Sequence, residues 1–315
     1  MWDALLDKSL VGYTALGYRW RPHPPVSVDL TGKSALVTGA TSGLGKATAT
    51  ALASLGASVT IVGRDPEKTS RVRTEMFRRT GNEAIAVEIA DLSIMNEVRA
   101  LASRFRGPLH LLVNNAGVML RERQVTSEGL EATFATNLLG HFVLTRALMP
   151  RLRASAPARI VNVSSGGMYT QRLRLDDLQM SKGTYDGTAA YAHTKRAQVI
   201  LTEQWADQLR GSGVTVHAMH PGWADTQGVA DSLPRFHTLM KPLLRTPAEG
   251  ADTIVWLCTS PEAAETTGLF WHDRRPRPTH RSRRTQATPQ DRDSLEDTLE
   301  SLAPAAADAQ DTTGW

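Results

Sequence analysis

The fold is decided by the segment Ser34–Gly45, which reads SALVTGATSGLG. An apolar strand runs directly into a turn with glycines at 39, 43 and 45, and a helix is predicted over Lys46–Leu55. The first glycine allows a tight turn, and the next two let backbone approach a pyrophosphate and let helix pack on strand. Anions bind where free N–H groups and a helix dipole converge. The turn therefore predicts a nucleotide site containing Gly39, Thr41, Ser42, Gly43, Leu44 and Gly45.

Outward from this segment, strands alternate with helices. Each strand is apolar throughout, which is typical of parallel strands covered on both faces. The predicted strands are Ala35–Thr38, Ser58–Val62, Ala84–Ile89, Leu109–Val113, Arg159–Val163 and Val214–Met219. The predicted helices are Lys46–Leu55, Glu67–Arg79, Met95–Arg104, Leu130–Arg153, Ala190–Leu209 and Pro247–Cys258. The sequence thus predicts one α/β domain over residues 31–271, with a Rossmann-type, doubly wound parallel sheet of about seven strands.

The two ends of the chain differ from this pattern. Residues 1–30 carry aromatic and apolar side chains mostly at helical spacing, which predicts an amphipathic N-terminal extension. Residues 1–21 either pack on the domain or a partner subunit, which is the favoured interpretation, or contact a membrane surface peripherally. Six arginines fall within residues 272–284. We expect residues 272–315 to be a disordered tail, with one short helix possible over Ser294–Leu302.

Composition excludes several classes of protein. Hydrophobic residues make up 41% of the 315, enough for a full core, and the net charge is only +4. The positive charge clusters late in the chain without interleaved aromatics, so no nucleic-acid partner is expected. No apolar stretch approaches the roughly 20 residues of a membrane span. The single cysteine, Cys258, indicates a buried small hydrophobe in a reducing compartment, and a cytoplasmic protein is expected.

The end of the second strand bears on the choice of nucleotide. Residues 61–64 read IVGR. An acidic side chain here would accept the ribose hydroxyls of NAD and repel a 2′-phosphate. Gly63 has no carboxylate, Arg64 offers a guanidinium fork suited to that phosphate, and Lys46 adds positive charge. The pattern favours NADP(H) over NAD(H). The alternative is a surface Arg64 that pairs with Asp65 or Glu67.

Seven motifs occur in the order found in short-chain dehydrogenases/reductases, and between about Ser34 and Phe270 the chain resembles that superfamily. They are the Thr38–Gly45 turn, Asp91-Leu92, Asn114-Asn115-Ala116-Gly117, Asn137, Ser164-Ser165, Tyr191-x-x-x-Lys195 and Pro221-Gly222. Within the superfamily, Met219–Thr226 and Lys195–Val199 look like the member-twelve type of dehydrogenase/reductase, near the retinol-dehydrogenase-like members. The resemblance implies a small-molecule substrate and a homo-oligomer paired through the two long helices.

The resemblance implies four catalytic residues. Tyr191 would exchange the hydroxyl proton of an alcohol. Lys195, one helical turn on and on the same face, would bind the nicotinamide ribose and lower the tyrosine pKa from about 10 toward neutrality. Ser165 would bond the substrate oxygen, with Ser164 as the alternative. Asn137 would hold a water in the proton relay, or else simply bond backbone. The 26-residue separation of Ser165 from Tyr191 exceeds the usual one and contains the insert Tyr169–Ala189.

Further cofactor contacts follow from the resemblance. They are Asp91, Leu92, Asn114, Asn115, Ala116, Gly117, Tyr191, Lys195, Pro221, Gly222 and Thr226. Asp91 would bond the adenine amino group, and Trp223 would cover the nicotinamide or wall the substrate pocket. No metal is expected, because the histidines at 141, 193, 217 and 220 lack ligand spacing.

The sequence therefore predicts an NADP(H)-dependent oxidoreductase that interconverts an alcohol and a carbonyl on an apolar small molecule, such as a retinoid, steroid or fatty aldehyde. Two alternatives remain open at this point. One is an NADP(H)-binding sensor without turnover, and the other is an epimerase on the same scaffold.

Overall fold

Within residues 9–303, eight strands form one sheet in the order β3-β2-β1-β4-β5-β6-β7-β8. They are β1 Ser34–Thr38, β2 Ser58–Gly63, β3 Ile85–Ile89, β4 Leu111–Asn114, β5 Ala158–Val163, β6 Val214–Met219, β7 Phe270–His272 and β8 Arg275–Arg277. The computed structural model describes residues 9–303, apart from the side chains at positions 227 and 229. The first seven strands are parallel and β8 is antiparallel to β7. The Rossmann-type parallel sheet is confirmed. The count is eight and not about seven, because Asp273 and Arg274 adopt positive φ and turn the chain back.

Helices cover both faces of the sheet. They are α1 Ala15–Arg19, α2 Gly43–Ser54, α3 Pro66–Thr80, α4 Met95–Arg104, α5 Ala132–Phe134, α6 Gly140–Ala154, α7 Gly187–Gln208, α8 Gln227–Ser232, α9 Pro234–Met240, α10 Pro247–Thr259, α11 Pro261–Ala264 and α12 Pro289–Leu302. Capping defines several starts: the Asp65 carboxylate accepts from Lys68 N at 2.9 Å before α3. Thr246 and Glu249 form a capping box before α10.

Successive side chains of β1 point to opposite faces of the sheet and pack into two separate apolar cores, as the two-residue period of a strand requires. Leu36 belongs to the core that contains Phe142 and Trp205, from α6 and α7. Val37 belongs to the core on the other face, with Leu52 from α2 among its members. All five side chains are buried. The central strands therefore have no free face, and functional side chains must lie at the strand ends.

The long helix predicted over Leu130–Arg153 is interrupted. Between α5 and α6, Ala135–Leu139 forms a π-helical turn that contains Asn137. Gly140 follows, and a Cβ there would lie 2.2 Å from the Leu92 carbonyl oxygen. This close approach fixes the start of α6 against the loop that follows β3. Such π turns change the direction of the side chains they carry.

The N-terminal segment is short and bent where a longer amphipathic helix was predicted. A 3₁₀ turn at Leu10–Tyr13 leads into α1, and Gly17 crosses so close that a Cβ would lie 2.3 Å from the Val11 carbonyl oxygen. Leu10 and Trp20 are 70% and 66% exposed. The predicted residues 1–8 of the extension lie outside the described part of the chain. Within residues 9–303, no helix is long and apolar enough to cross a membrane.

The prediction of a disordered tail after residue 272 is wrong for residues 272–303. Strand β8 joins the sheet, and helix α12 buries Leu295 and Leu299 completely in the core beside α6 and α7. The Arg196 guanidinium, on α7, donates to the carbonyls of Thr279 and Thr285. Order in this segment thus comes from partners far away in sequence. Helix α12 also covers part of the long helices that were expected to pair in an oligomer.

Candidate active site

A cleft of about 370 Å³ opens at the carboxyl ends of the parallel strands. This is the edge where doubly wound sheets bind their ligands. Most of the predicted cofactor residues line it: Gly39, Thr41, Ser42, Gly43, Leu44, Gly45, Arg64, Asp91, Leu92, Asn115, Ala116, Gly117, Tyr191, Lys195, Pro221 and Thr226. Asn114 and Gly222 do not. The structure therefore brings residues from six separate motifs to one place.

The glycines of the turn are required by contact as well as by conformation. A Cβ on Gly45 would lie 2.3 Å from the Gly39 carbonyl oxygen and 2.4 Å from Asn115 Nδ2. Gly39 and Gly43 have φ of 64° and 51°, a region that favours glycine. Backbone N–H groups at the start of α2 consequently face the cleft without a side chain between them and a ligand.

The end of β2 has no room for an acidic side chain. A Cβ on Gly63 would lie 2.4 Å from Thr69 Oγ1 and 2.5 Å from Thr41 Cγ2. Arg64 is exposed and lines the cleft. The alternative pairing of Arg64 with Asp65 is absent from the ion pairs of residues 9–303, since Asp65 instead caps α3.

The second cation of this site is Lys68 and not Lys46. The Lys46 ammonium pairs with the Glu75 carboxylate on α3, and it does not line the cleft. Lys68, from the first turn of α3, does line it. Lys68 was not predicted from the sequence, although a lysine in the first turn of the helix that follows Arg64 could be recognised there.

The paired asparagines after β4 have different roles. Asn115 Nδ2 donates to the carbonyl oxygens of Thr38 at 2.8 Å and Gly39 at 3.2 Å, which fixes the turn while the residue lines the cleft. Asn114 is fully buried and its Nδ2 donates to Thr145 Oγ1 and Asn162 Oδ1. The prediction that Asn114 contacts the cofactor is therefore wrong, because its side chain joins β4 to β5 and α6 inside the core.

Ser165, Tyr191 and Lys195 come together behind the turn. The Ser165 side chain lies beside the Tyr191 phenol, close enough to lower its pKa, and Lys195 Nζ lies 5.5 Å from the centre of the Tyr191 ring. Lys195 Nζ donates to the Val163 carbonyl oxygen at 2.8 Å. Ser164 Oγ instead donates to the Lys195 carbonyl oxygen at 2.8 Å, which gives it a structural bond along α7. Of the two serines, Ser165 is thus the one that faces the phenol.

Burial acts on both ionisable groups of this set. It lowers the pKa of Lys195 to about 7, because an ammonium loses its hydration in the interior. Burial also raises the pKa of Tyr191, and the hydrogen bond from Ser165 lowers it. We expected the Lys195 ammonium to lower the tyrosine pKa. In the protein alone, desolvation is the larger effect on the phenol and works in the opposite direction.

Asn137, in the π turn, forms hydrogen bonds that connect two segments of the site. Its Oδ1 accepts from Val118 N at 2.8 Å, and its Nδ2 donates to the Val118 carbonyl oxygen at 2.9 Å and to Thr194 Oγ1 at 3.2 Å. The Asn137 carbonyl oxygen accepts from Gln198 Nε2 at 2.7 Å. These bonds match the backbone-bonding alternative: Asn137 holds the chain after β4 against α7.

Gly222 lies outside the cleft because it packs on a buried ion cluster. A Cβ on Gly222, whose φ is 75°, would lie 2.4 Å from Arg245 Nε. The Asp273 carboxylate pairs with the guanidinium groups of Arg245 and Arg21. Arg245 also donates to the Gly12 carbonyl oxygen at 2.7 Å and the Pro221 carbonyl oxygen at 3.3 Å. The cluster joins the N-terminal segment to the wall of the cleft.

Trp223 does not line the cleft. Its ring stacks on Tyr13 with centroids 5.8 Å apart and meets Phe236 edge-on at 5.2 Å. Of its two predicted roles, covering the nicotinamide has no support in this arrangement. The Tyr13 ring also approaches the residue after Ser165, since a Cβ on Gly166 would lie 3.3 Å from Tyr13 Cε1.

The histidines are used in packing and hydrogen bonding. His217 Nδ1 accepts from Trp271 Nε1 at 3.0 Å, and His220 Nδ1 accepts from Gly222 N at 3.0 Å. His141 Nδ1 lies 3.0 Å from Gln198 Nε2, and burial lowers its pKa to about 3. Residues 9–303 contain no group of three or more His, Cys, Asp or Glu side chains suited to a metal ion.

The sheet order, the glycine turn and the Ser165–Tyr191–Lys195 set define an oxidoreductase that uses a nicotinamide nucleotide. The short chain dehydrogenase family profile matches residues 33–235, and the chain belongs to this family. It is 42% identical over 308 residues to dehydrogenase/reductase SDR family member 12 from Bos taurus, covering 95% of this chain and 96% of that protein. It is 40% identical over 257 residues to retinol dehydrogenase 11 from Mus musculus, covering 78% and 79%.

Solved structures show the same relationship. The crystal structure of 3-ketoacyl-(acyl-carrier-protein) reductase from Brucella melitensis, complexed with NADH, aligns with a TM-score of 0.61 at 30% identity. The alignment covers 77% of this chain and 96% of that one. The family to which the chain belongs binds NAD(P)(H).

Proposed function

We propose that the protein is an NADP(H)-dependent oxidoreductase that interconverts an alcohol and a carbonyl on an apolar small molecule. The observation that carries this proposal is the position of Tyr191 beside Ser165 and the buried Lys195, with Tyr191 and Lys195 lining the same cleft as the glycine turn. A binding protein without turnover has no need of a phenol and a buried ammonium held side by side at the cleft.

The residues of the cleft fit NADP(H). The 2′-phosphate of NADP is an anion, and Arg64 and Lys68 are the cations that line the cleft near the end of β2. Gly63 leaves no space for the carboxylate that would repel it. The pyrophosphate would lie on the N–H groups at the start of α2, where the helix dipole favours negative charge.

The chemistry of the chain's own groups is acid–base. Ser165 and Tyr191 would both donate to the oxygen of the substrate, which holds the carbonyl in place and polarises it. Tyr191 would deliver the proton in reduction and accept it in oxidation. Lys195, whose burial brings its pKa to about 7, would replenish that proton. A bound nicotinamide supplies or accepts the hydride.

The support for an apolar substrate is the remaining wall of the cleft. Val118 and Met119 line it on the side of β4. Outside it, Trp223 from the loop after β6 and Phe236 from α9 form an aromatic pair. An alcohol or aldehyde on an isoprenoid, steroid or fatty chain fits walls of this kind, since such pockets are mostly apolar with a few polar groups that orient the reacting atom.

We also propose a cytoplasmic, homo-oligomeric protein. Cys258 is free and buried, and burial raises its pKa to about 12, so the thiol is inert and fits a reducing compartment. Because α12 covers part of α6 and α7, a partner subunit would contact the parts of those helices that α12 leaves open.

The proposal is tested by NADPH-linked reduction of a panel of retinoid, steroid and fatty aldehydes or ketones, with NADH in parallel. Arg64→Ala is expected to reduce the preference for NADPH over NADH by roughly tenfold to a hundredfold, the value of hydrogen bonds to a charged group. Lys46→Ala is the matched control, since that ammonium pairs with Glu75 outside the cleft. An unchanged preference in Arg64→Ala would remove the basis for NADP, and an inert panel would remove the reaction.

A further inference from the structure

A second cavity, of about 430 Å³, lies outside the nucleotide cleft and is strongly basic. It is lined by Thr170, Gln171, Arg172, Arg174, Asp176 and Arg284. Three of these six side chains are arginines, and they come from two segments more than 100 residues apart in sequence. Like charges repel one another, so arginines that converge on one cavity are typical of a site that binds an anion.

One wall of the cavity is held rigidly. The Arg174 guanidinium pairs with the Asp177 carboxylate at 3.2 Å, and Asp177 is itself buried and accepts from Ser181 N at 2.7 Å. The backbone N–H of Arg174 donates to His193 Nε2 at 2.9 Å. Burial lowers the pKa of His193 to about 4, which keeps the ring neutral and able to accept this bond. The wall is thereby attached to α7 two residues after Tyr191.

The opposite wall is held just as firmly. Arg196 donates to the carbonyls of Thr279 and Thr285, on either side of Arg284. The Tyr169 hydroxyl donates to the Pro278 carbonyl oxygen at 2.7 Å, and the Arg281 guanidinium lies over the Tyr169 ring at 4.5 Å. The C-terminal segment therefore runs beside the chain that follows Ser165, and the cavity between them is preformed.

Within the described part of the chain, two of the positive charges that line the cavity have no carboxylate partner. Asp176 pairs with Lys182 at 2.9 Å, and Asp177 pairs with Arg174. Arg172 and Arg284 are exposed, and no carboxylate among residues 9–303 pairs with either one. Two unneutralised guanidinium groups match a phosphate monoester, which carries close to two negative charges at neutral pH because its second pKa is about 6. A carboxylate would neutralise only one of them.

We propose that this cavity binds a phosphate group, through Arg172 and Arg284 with Arg174 beneath them. Thr170, which ends the turn Gly166–Thr170 directly after Ser165, also lines the cavity. A phosphate bound here lies next to the segment that carries the substrate-facing serine. The group belongs either to a phosphate-bearing substrate or to free phosphate that acts on the enzyme, and the same residues would recognise both.

The test is titration of the full chain with inorganic phosphate, followed by ³¹P NMR line broadening, without and with saturating NADP. NADP fills the glycine turn, so phosphate binding that survives its addition reports on the second cavity. We expect one saturable site that Arg172→Gln and Arg284→Gln each weaken by roughly tenfold or more. Arg153→Gln is the matched control, because Arg153 is also exposed, unpaired among residues 9–303 and distant from the cavity in sequence.

Non-saturable binding with NADP present, or equal weakening by Arg153→Gln, would overturn the proposal. Its failure is distinct from failure of the proposed function, because the NADP titration itself shows whether the nucleotide binds. Given turnover, phosphate that competes with the carbonyl substrate supports a phosphate-bearing substrate. Phosphate that changes kcat without such competition supports a separate effector. Both effects should disappear in Arg172→Gln.

Discussion

Replacement of Asp273 by Asn tests the buried ion cluster that joins the N-terminal segment to the cleft. The side chains of Asp273, Arg245 and Arg21 are 1%, 1% and 3% exposed. The carboxamide in Asp273→Asn keeps the shape of the carboxylate but removes the negative charge that pairs with the buried Arg245 guanidinium. Breaking a buried pair in this way costs about 3–5 kcal/mol. We therefore expect the free energy of unfolding to fall by that amount.

The assay is urea unfolding followed by circular dichroism. With a slope of about 3 kcal/mol per molar urea, the expected loss lowers the midpoint by about 1–2 M. Glu75→Gln is the matched control, because the side chains of Glu75 and its partner Lys46 are 55% and 36% exposed. Exposed ion pairs contribute less than about 1 kcal/mol to the free energy of unfolding. If Asp273→Asn costs no more than Glu75→Gln, the cluster does not hold the segment in place. Because Arg245 also donates to the carbonyl oxygen of Pro221, which lines the cleft, the KM for NADPH should also rise in Asp273→Asn.

Two further predictions concern the interior. Burial lowers the pKa of Lys195 to about 7 from its ordinary 10.5, so the unfolded chain binds more protons than the folded one between those values. The free energy of unfolding without nucleotide should therefore rise with pH across that window, by at most about 1.4 kcal/mol per pH unit. Thermal unfolding at several pH values should show a weaker dependence of stability on pH for Lys195→Met than for the wild-type protein. An equal dependence in the two proteins would contradict the effect of burial on Lys195. Leu299→Ala should cost about 2–5 kcal/mol, since the side chain is fully buried in the core; a loss below about 1 kcal/mol in urea unfolding would mean that α12 does not pack as described.

Local sequence pattern predicted the sheet and the nucleotide turn well, because both depend on neighbouring residues. The apolar run before Gly39 predicts β1. Gly39 and Gly43 are favoured by their positive φ, and a Cβ on Gly45 would lie against the Gly39 carbonyl oxygen of the same turn. The absence of a carboxylate at Gly63 was visible in the sequence. The reason that none fits, a contact with Thr69, depends on how α3 packs against the turn.

The errors arose where tertiary partners decide the outcome. The arginine-rich segment after residue 272 looked disordered because its charges repel one another. In the fold, Arg274 pairs with Asp252 at 2.5 Å, and Asp273 lies between two arginines. Leu295 and Leu299, four residues apart, were a local signal that α12 has a buried face. The sequence does not show which of the adjacent residues Asn114 and Asn115 faces the cleft. The answer depends on the orientation of β4, which points the Asn114 side chain into the core.

The measurement that tests the central claim most directly is NADPH-linked turnover by Tyr191→Phe, on whichever carbonyl the wild-type protein reduces. The change removes the phenol hydroxyl that lies beside Ser165 and Lys195. We expect kcat to fall by roughly 10²- to 10⁴-fold, the usual contribution of a positioned acid or base, while NADPH still binds. Turnover at the wild-type rate with the nucleotide bound would contradict the assignment of Tyr191 as the acid–base group.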